Sequence, residues 1–127
     1  MAYYTVAHFL QGGVLDGSQT GPLGIKAEDM KECCWNYIFR KGSYPEGGCS
    51  VPKEKLDKMR HEFEYWYPFD LRVSGKDLIR NHLTMCLYNH AAMWGESMMP
   101  KSIFCNGYTL LNNMKMSKST GNFITMR

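Results

Sequence analysis

At 127 residues the chain is long enough for one domain and its hydrophobic core. Its formal charge of +3 suits contact with nucleotide phosphates or RNA without demanding it, because few basic residues cluster tightly. The uncharged opening Met1–Val14 carries His8, Gln11 and a Gly12-Gly13 pair, and Met1–Val6 lacks a basic start, so neither a membrane span nor a signal peptide is expected there. Met1–Leu10 is aromatic and apolar, too short to classify by period, and Asp16–Gly24 reads as a Gly/Ser/Thr/Pro loop. From Ala27 to Lys41 the positions Met30, Cys34, Tyr37 and Ile38 recur at helical spacing, with Gly42 as the stop. After a second loop, Ser43–Val51, Pro52 takes the first position of another helix whose apolar face is Leu56, Met59, Phe63 and Trp66. Its other face, Lys53, Lys55, Asp57, Lys58 and Glu62, reads as a solvated surface.

Phe69–Val73 follows Pro68 and reads as a short buried strand. Ser74–Asp77 then turns into a helix running to about Trp94, with the stripe Ile79, Leu83, Leu87 and Ala91, and with Leu78 and His82 on an adjacent face. Gly95–Pro100 closes it, and Ser102–Asn106 is a second strand. Strand, helix and strand at this spacing predict a right-handed βαβ crossover with parallel strands. Ligands collect outside the carboxyl ends of such strands. Two stretches fall there: Ser74–His82, and the chain from Asn106 onward, which reads as tight turn, strand and the loop Asn112-Asn113.

That second stretch leads to Lys115-Met116-Ser117-Lys118-Ser119, then Thr120-Gly121-Asn122. Two mobile ammonium groups three residues apart, with two hydroxyls, make a compact set of donors for phosphate oxygens, and Gly121 lets the backbone bend behind them. A solvated Lys/Ser loop is the plainer alternative. In the first stretch, Ser74-x-x-Asp77 reads as a capping box, in which Asp77 bonds back to the Ser74 amide. A phosphate-loop reading of Gly75-Lys76 fails, since Asp77 follows the lysine and Asp70 stands where that loop needs glycine. Five cysteines, at 33, 34, 49, 86 and 105, show no zinc-finger spacing and read as reduced, mostly buried thiols of a cytosolic protein. Ten methionines read as core filling.

Residues 115–119 match letter for letter the KMSKS signature of class I aminoacyl-tRNA synthetases. The segment from Trp66 to Leu83, with Tyr88-Asn89-His90, Met93-Trp94, Tyr4–His8 and Gln11–Gly13, resembles cytosolic leucyl-tRNA synthetases of the eukaryotic and archaeal type. The similarity spans nearly the whole chain and is weakest across Asp16–Gly24 and Ser43–Val51. It implies an α/β fold: the second half of a Rossmann-like catalytic domain, a parallel βαβ crossover with additional helices. Residues 1–68 would be a helical segment following the editing insertion, and residues 69–127 the βαβ half with the signature loop.

The resemblance further implies ATP binding by Lys115, Met116, Ser117, Lys118, Ser119, Gly75 and Asp77. Lys118 and Lys115 would be catalytic, and Mg²⁺ would accompany the ATP phosphates. Leu78 and His82 would face the amino-acid pocket; bacterial relatives have histidine at both positions, so the imidazole pair is lost here. Leucine, tRNA(Leu) and the remaining domains of one cytoplasmic enzyme would be the partners, with no membrane. The companion His-Ile-Gly-His signature, the editing domain and the anticodon-binding region are absent from these residues. A catalytic fragment, inactive alone, is therefore expected. Isoleucyl-, valyl- and methionyl-tRNA synthetases, and a standalone nucleotide- or RNA-binding module, are the alternatives.

Overall fold

The computed structural model describes residues 1–125, in two compact units that divide after Pro68. Met126 and Arg127, the end of the expected second segment, lie outside the described residues.

The first unit is helical. Helix α1 spans Ala2–Leu10, a 3₁₀ turn covers Ala27–Asp29, α2 runs Glu32–Phe39 and α3 runs Lys53–Trp66. The opening decapeptide, unclassifiable by period, is helical because it lays Val6 and Ala7 into the core. The helix expected over Ala27–Lys41 is shorter and broken. Asp29 and Met30 close a 3₁₀ turn, and α2 begins only with Glu32, whose carboxylate suits the amino end of the helix dipole. It ends before Gly42, with Lys41 in the left-handed region at φ 55°. Helix α3 packs against both α1 and α2, and Leu56, Met59 and Phe63 are fully buried. Phe63 meets Phe39 edge-on at 5.0 Å between ring centroids and Tyr67 at 4.6 Å. Trp66, expected on the same face, is instead 53% exposed and donates its indole N–H to Glu62 at 2.9 Å. The apolar face runs out one turn before the helix does, because Tyr67, extended ahead of Pro68, takes the buried position.

The second unit carries the sheet. Strand β1 is Arg72–Gly75, α4 is Thr84–Trp94 and β2 is Ile103–Asn106. The two strands pair in parallel, with Arg72 opposite Ile103 and Gly75 opposite Asn106. β1 starts later than Phe69 because the residues before it are otherwise engaged. Phe69 packs edge-on against His90, Asp70 pairs with Lys101 at 2.6 Å, and the Asp70 carbonyl accepts the Ser102 hydroxyl. Nor is the strand buried: Leu71 and Val73 are 58% and 63% exposed, and only Ser74 is covered.

Between β1 and α4 the chain makes a 3₁₀ turn, Lys76–Leu78, and then a π-helical turn, Ile79–Leu83, rather than one continuous α-helix. Thr84 explains the wide turn in part: its hydroxyl donates to the Ile79 carbonyl five residues back, at 2.5 Å. The turn resets the helical phase. The buried stripe is therefore Leu83, Cys86 and His90, while Ile79, Leu87 and Ala91 face outward. His90 is structural: its Nδ1 donates to the Cys86 carbonyl at 2.6 Å, and its ring lies 5.2 Å from Trp94. The cysteines are less buried than composition suggests. Cys34 and Cys86 are covered, Cys33 and Cys49 are partly so, and Cys105 is exposed.

Truncating Phe63 to alanine should cost about 3–5 kcal/mol of unfolding free energy, whereas Trp66→Ala should stay within about 0.5 kcal/mol. Urea unfolding followed by far-UV circular dichroism separates them; equal effects would contradict the packing of α3.

Candidate functional site

Both strands of the parallel pair end at one place. Gly75 closes β1, Asn106 closes β2, and beyond them opens a cavity of about 360 Å³. Its lining comprises Gly75, Asp77, Asn106, Gly107, Tyr108, Thr109, Lys115 and Met116.

Lys115 reaches this cavity through a hairpin. Strands β3, Leu110–Leu111, and β4, Met114–Lys115, pair antiparallel around Asn112 and Asn113. Both asparagines are left-handed, at φ 53° and 61°, which is the backbone of a tight primed turn. Asparagine tolerates that region because its short amide can bond locally. The expected loop at Asn112-Asn113 is thus the turn of a hairpin. The Met116 amide donates to the Thr109 carbonyl at 3.0 Å, extending the hairpin beyond the Leu110–Lys115 pair. Lys115 Nζ then lies 4.1 Å from the centroid of the Tyr108 ring, and Lys76 Nζ lies 4.2 Å from the same ring. One aromatic ring thus holds two cations at the mouth of the cavity.

The rest of the 115–119 run forms a separate small loop. Ser117 and Asn122 bridge, with the Ser117 amide donating to the Asn122 carbonyl at 2.9 Å. Gly121 is left-handed at φ 71°, and its amide reaches the Lys118 carbonyl at 3.2 Å. Ser117 and Ser119 do not present two free hydroxyls, because their oxygens lie 2.8 Å apart in a mutual hydrogen bond. Lys118 is exposed on this loop and does not line the cavity. The loop is held by a residue that sequence reasoning passed over. Asn122 Nδ2 sits 3.2 Å from the Leu111 carbonyl and 3.3 Å from those of Met114 and Lys115, clamping the loop to the hairpin.

Asp77 is exposed at the cavity wall. The capping box is not formed: Ser74 stays within β1 opposite Cys105, and the 3₁₀ turn starts from Gly75 without a side-chain cap. Gly75 matters for another reason. A Cβ there would stand 2.5 Å from Asp77 Oδ1, so only glycine leaves the carboxylate its present position. Leu78 is half-buried and His82 exposed, and neither lines the cavity. His82 Nδ1 lies 2.9 Å from Arg72 Nη2. A guanidinium can only donate, so Nδ1 is the acceptor of this bond.

Of the expected site residues, the structure gathers Gly75, Asp77, Lys115 and Met116, and leaves Ser117, Lys118, Ser119, Leu78 and His82 outside the cavity. It adds Asn106, Gly107, Tyr108 and Thr109. Their position just past a strand's carboxyl end was the available signal.

A parallel strand pair whose carboxyl ends carry a carboxylate and two lysines offers an acceptor to hydroxyl groups and cations to anionic oxygens. The family model for class I tRNA synthetases (M) matches residues 48–127, and the chain belongs to that family. Its relatives are more specific. It is 56% identical over 126 residues to the cytoplasmic leucine–tRNA ligase of Dictyostelium discoideum, covering 99% of this chain and 12% of that protein. It is 55% identical over 128 residues to that of Pongo abelii, covering 99% of this chain and 11% of that protein. To that of Arabidopsis thaliana it is 51% identical over 128 residues, covering 100% of this chain and 11% of that protein. The chain thus spans only 11–12% of the length of these relatives.

Replacing Asn122 by alanine should release the loop from the hairpin without altering β1 or β2. Losing one net hydrogen bond, about 0.5–1.5 kcal/mol, should speed amide exchange at Ser117 roughly two- to twelvefold. Unchanged protection in a hydrogen-exchange measurement would mean that the backbone bridge holds the loop unaided.

Proposed function

We propose that this chain forms part of the catalytic domain of a cytoplasmic leucine–tRNA ligase and supplies one side of its ATP site. The observation that carries this reading is the 51–56% identity of essentially the whole chain to proteins that share that name. The cavity where β1 and β2 end supports it, as does the parallel pairing that fits half of a Rossmann-like domain.

In the intact enzyme the leucine carboxylate attacks the α-phosphorus of ATP, yielding leucyl-adenylate and pyrophosphate. The 3′-terminal ribose hydroxyl of tRNA(Leu) then takes the leucyl group. Asp77 accepts hydrogen bonds from the ATP ribose, and Gly75 keeps that carboxylate free of crowding. Lys115, resting on Tyr108, already stands at the cavity. Lys118, on the Ser117–Asn122 loop, reaches the departing pyrophosphate as its charge grows, with Met116, Ser117 and Ser119 fixing the loop's path. Because that charge is largest in the transition state, the two lysines act mainly on rate rather than on ground-state binding. Leu78 offers apolar surface toward the leucine side chain, and His82, oriented by Arg72, borders it. Mg²⁺ would accompany the ATP phosphates and offset their charge; among the described residues no group of three His, Cys, Asp or Glu side chains is placed to hold a metal ion.

In the intact enzyme, Lys118→Ala should slow leucine-dependent exchange of labelled pyrophosphate into ATP by on the order of a hundredfold, with little change in leucine affinity. An unchanged exchange rate would remove Lys118 from the reaction. Asp77→Asn should weaken ATP more than leucine, because a charged acceptor gives bonds about twice as strong as a neutral one. Equal weakening of both substrates, read from the two KM values, would take Asp77 off the ribose.

A further inference from the structure

Three of the five thiols, Cys33, Cys34 and Cys49, lie in the helical unit. Cys34 lies on α2 and is fully buried, and Cys49 lies on the loop between α2 and α3 and is partly exposed. Their sulfurs are 2.8 Å apart. Cys33 adjoins the pair: its thiol also acts on Cys34, and its Sγ lies 3.7 Å from the Gly48 carbonyl, but no sulfur–sulfur contact as short as that of Cys34 and Cys49 involves it. The loop around Cys49 is held on both sides. The Ser50 hydroxyl donates to Asp29 at 2.9 Å, and the Tyr44 hydroxyl donates to the Val51 carbonyl at 3.0 Å. Joining the two sulfurs requires them to close to about 2.0 Å. A small rotation of the Cys49 side chain supplies that movement while the loop stays held.

We propose that Cys34 and Cys49 are a site of reversible oxidation by hydrogen peroxide, in which the two thiols become an intramolecular disulfide and Cys33 stays free. Cys49 is the sulfur that meets the oxidant, because Cys34 is covered. Burial, and then the neighbouring Cys49 sulfur, push the Cys34 thiol up to about 12, so at neutral pH it stays protonated and is a poor first nucleophile. The Cys49 thiolate attacks one peroxide oxygen and the O–O bond breaks. The departing hydroxide takes up the proton that Cys49 released and leaves as water, and Cys49 is left as the sulfenic acid. The Cys34 sulfur then attacks the Cys49 sulfur and the S–O bond breaks. The Cys34 proton goes to the departing hydroxide, releasing a second water. Two thiols and one peroxide give one disulfide and two waters. The contact between the sulfurs lets this second step outrun further oxidation of Cys49. The product fastens the Ser43–Val51 loop to α2, and a dithiol reductant reverses it.

Trypsin separates the participants, since cleavage after Lys31, Arg40, Lys41 and Lys53 places Cys33 and Cys34 in Glu32–Arg40 and Cys49 in Gly42–Lys53. The intact protein carrying this chain is treated with hydrogen peroxide at neutral pH, quenched with N-ethylmaleimide and digested without reductant. The expected product is the two peptides joined, two hydrogens lighter than their sum, with maleimide on Cys33, and lost on treatment with dithiothreitol. Cys33→Ser should keep the link and Cys34→Ser should abolish it. If Cys34→Ser fails to fold, fragmentation of the wild-type linked peptide between Cys33 and Cys34 makes the assignment alone. A link through Cys33, Cys49 recovered only as sulfinic acid, or unlinked peptides alkylated at all three cysteines would each overturn the proposal. None of these readouts depends on leucine, ATP or tRNA, so their failure leaves the catalytic reading untouched.

Discussion

The candidate site depends on four residue pairs. The parallel ladder from Arg72–Ile103 to Gly75–Asn106 brings together chain segments about thirty residues apart and stops both at the same level. Everything chemical follows from that shared end. Asp77 comes two residues after one strand, Tyr108 two residues after the other, and the hairpin that delivers Lys115 is the direct continuation of β2. Were the register to slip by one, the side chains of β1 would exchange faces and Gly75 would no longer stand opposite Asn106. The ladder is short, and its outer face leaves Val73 and Phe104 mostly in water. Parallel strands are ordinarily covered on both faces, which accords with a chain that spans a small part of its relatives' length.

Much of this was legible in the residues. Leu56, Met59 and Phe63 announced the buried face of α3, and Gly95, left-handed at φ 70°, ends α4 where the pattern stops. The order strand, helix, strand was readable from Phe69 to Asn106, and the site's position followed from it. The misreadings share one cause: periodicity does not know what else a side chain has to do. Phe69 and Asp70 look like strand residues, but a ring and a lysine elsewhere in the unit engage them first. Trp66 has the right spacing for the core, yet Tyr67 fills the place beside Phe63. Ile79, Leu87 and Ala91 lie on one stripe only if the helix is uniform, and it is not.

The cavity and the signature loop divide the work between rigid and adaptable parts. Lys115 is fixed by a hairpin and by an aromatic ring, whereas Lys118 rides on a loop whose serines bond to each other and whose anchor is a single asparagine amide. Such a loop keeps its shape without committing its ammonium to a partner. That suits the role proposed for Lys118, a charge needed only when a leaving group departs. The Ser117–Ser119 hydroxyls would serve the same proposal, since either oxygen can turn from its neighbour to an anion with one rotation about χ1.

The π-helical turn at Ile79–Leu83 bears on how this segment can change through descent. A π turn encloses one residue more than an α turn, so it is equivalent to an α-helix that has accepted a single inserted residue. Removing one residue there would restore ordinary helical pitch while leaving the Leu83–Cys86–His90 stripe seated as it is. What would swing is the stretch ahead of it, carrying Leu78 and Asp77 around the helix axis. The length of this connector is therefore an adjustable joint: one codon gained or lost re-aims the acidic edge of the cavity without disturbing the core that supports it.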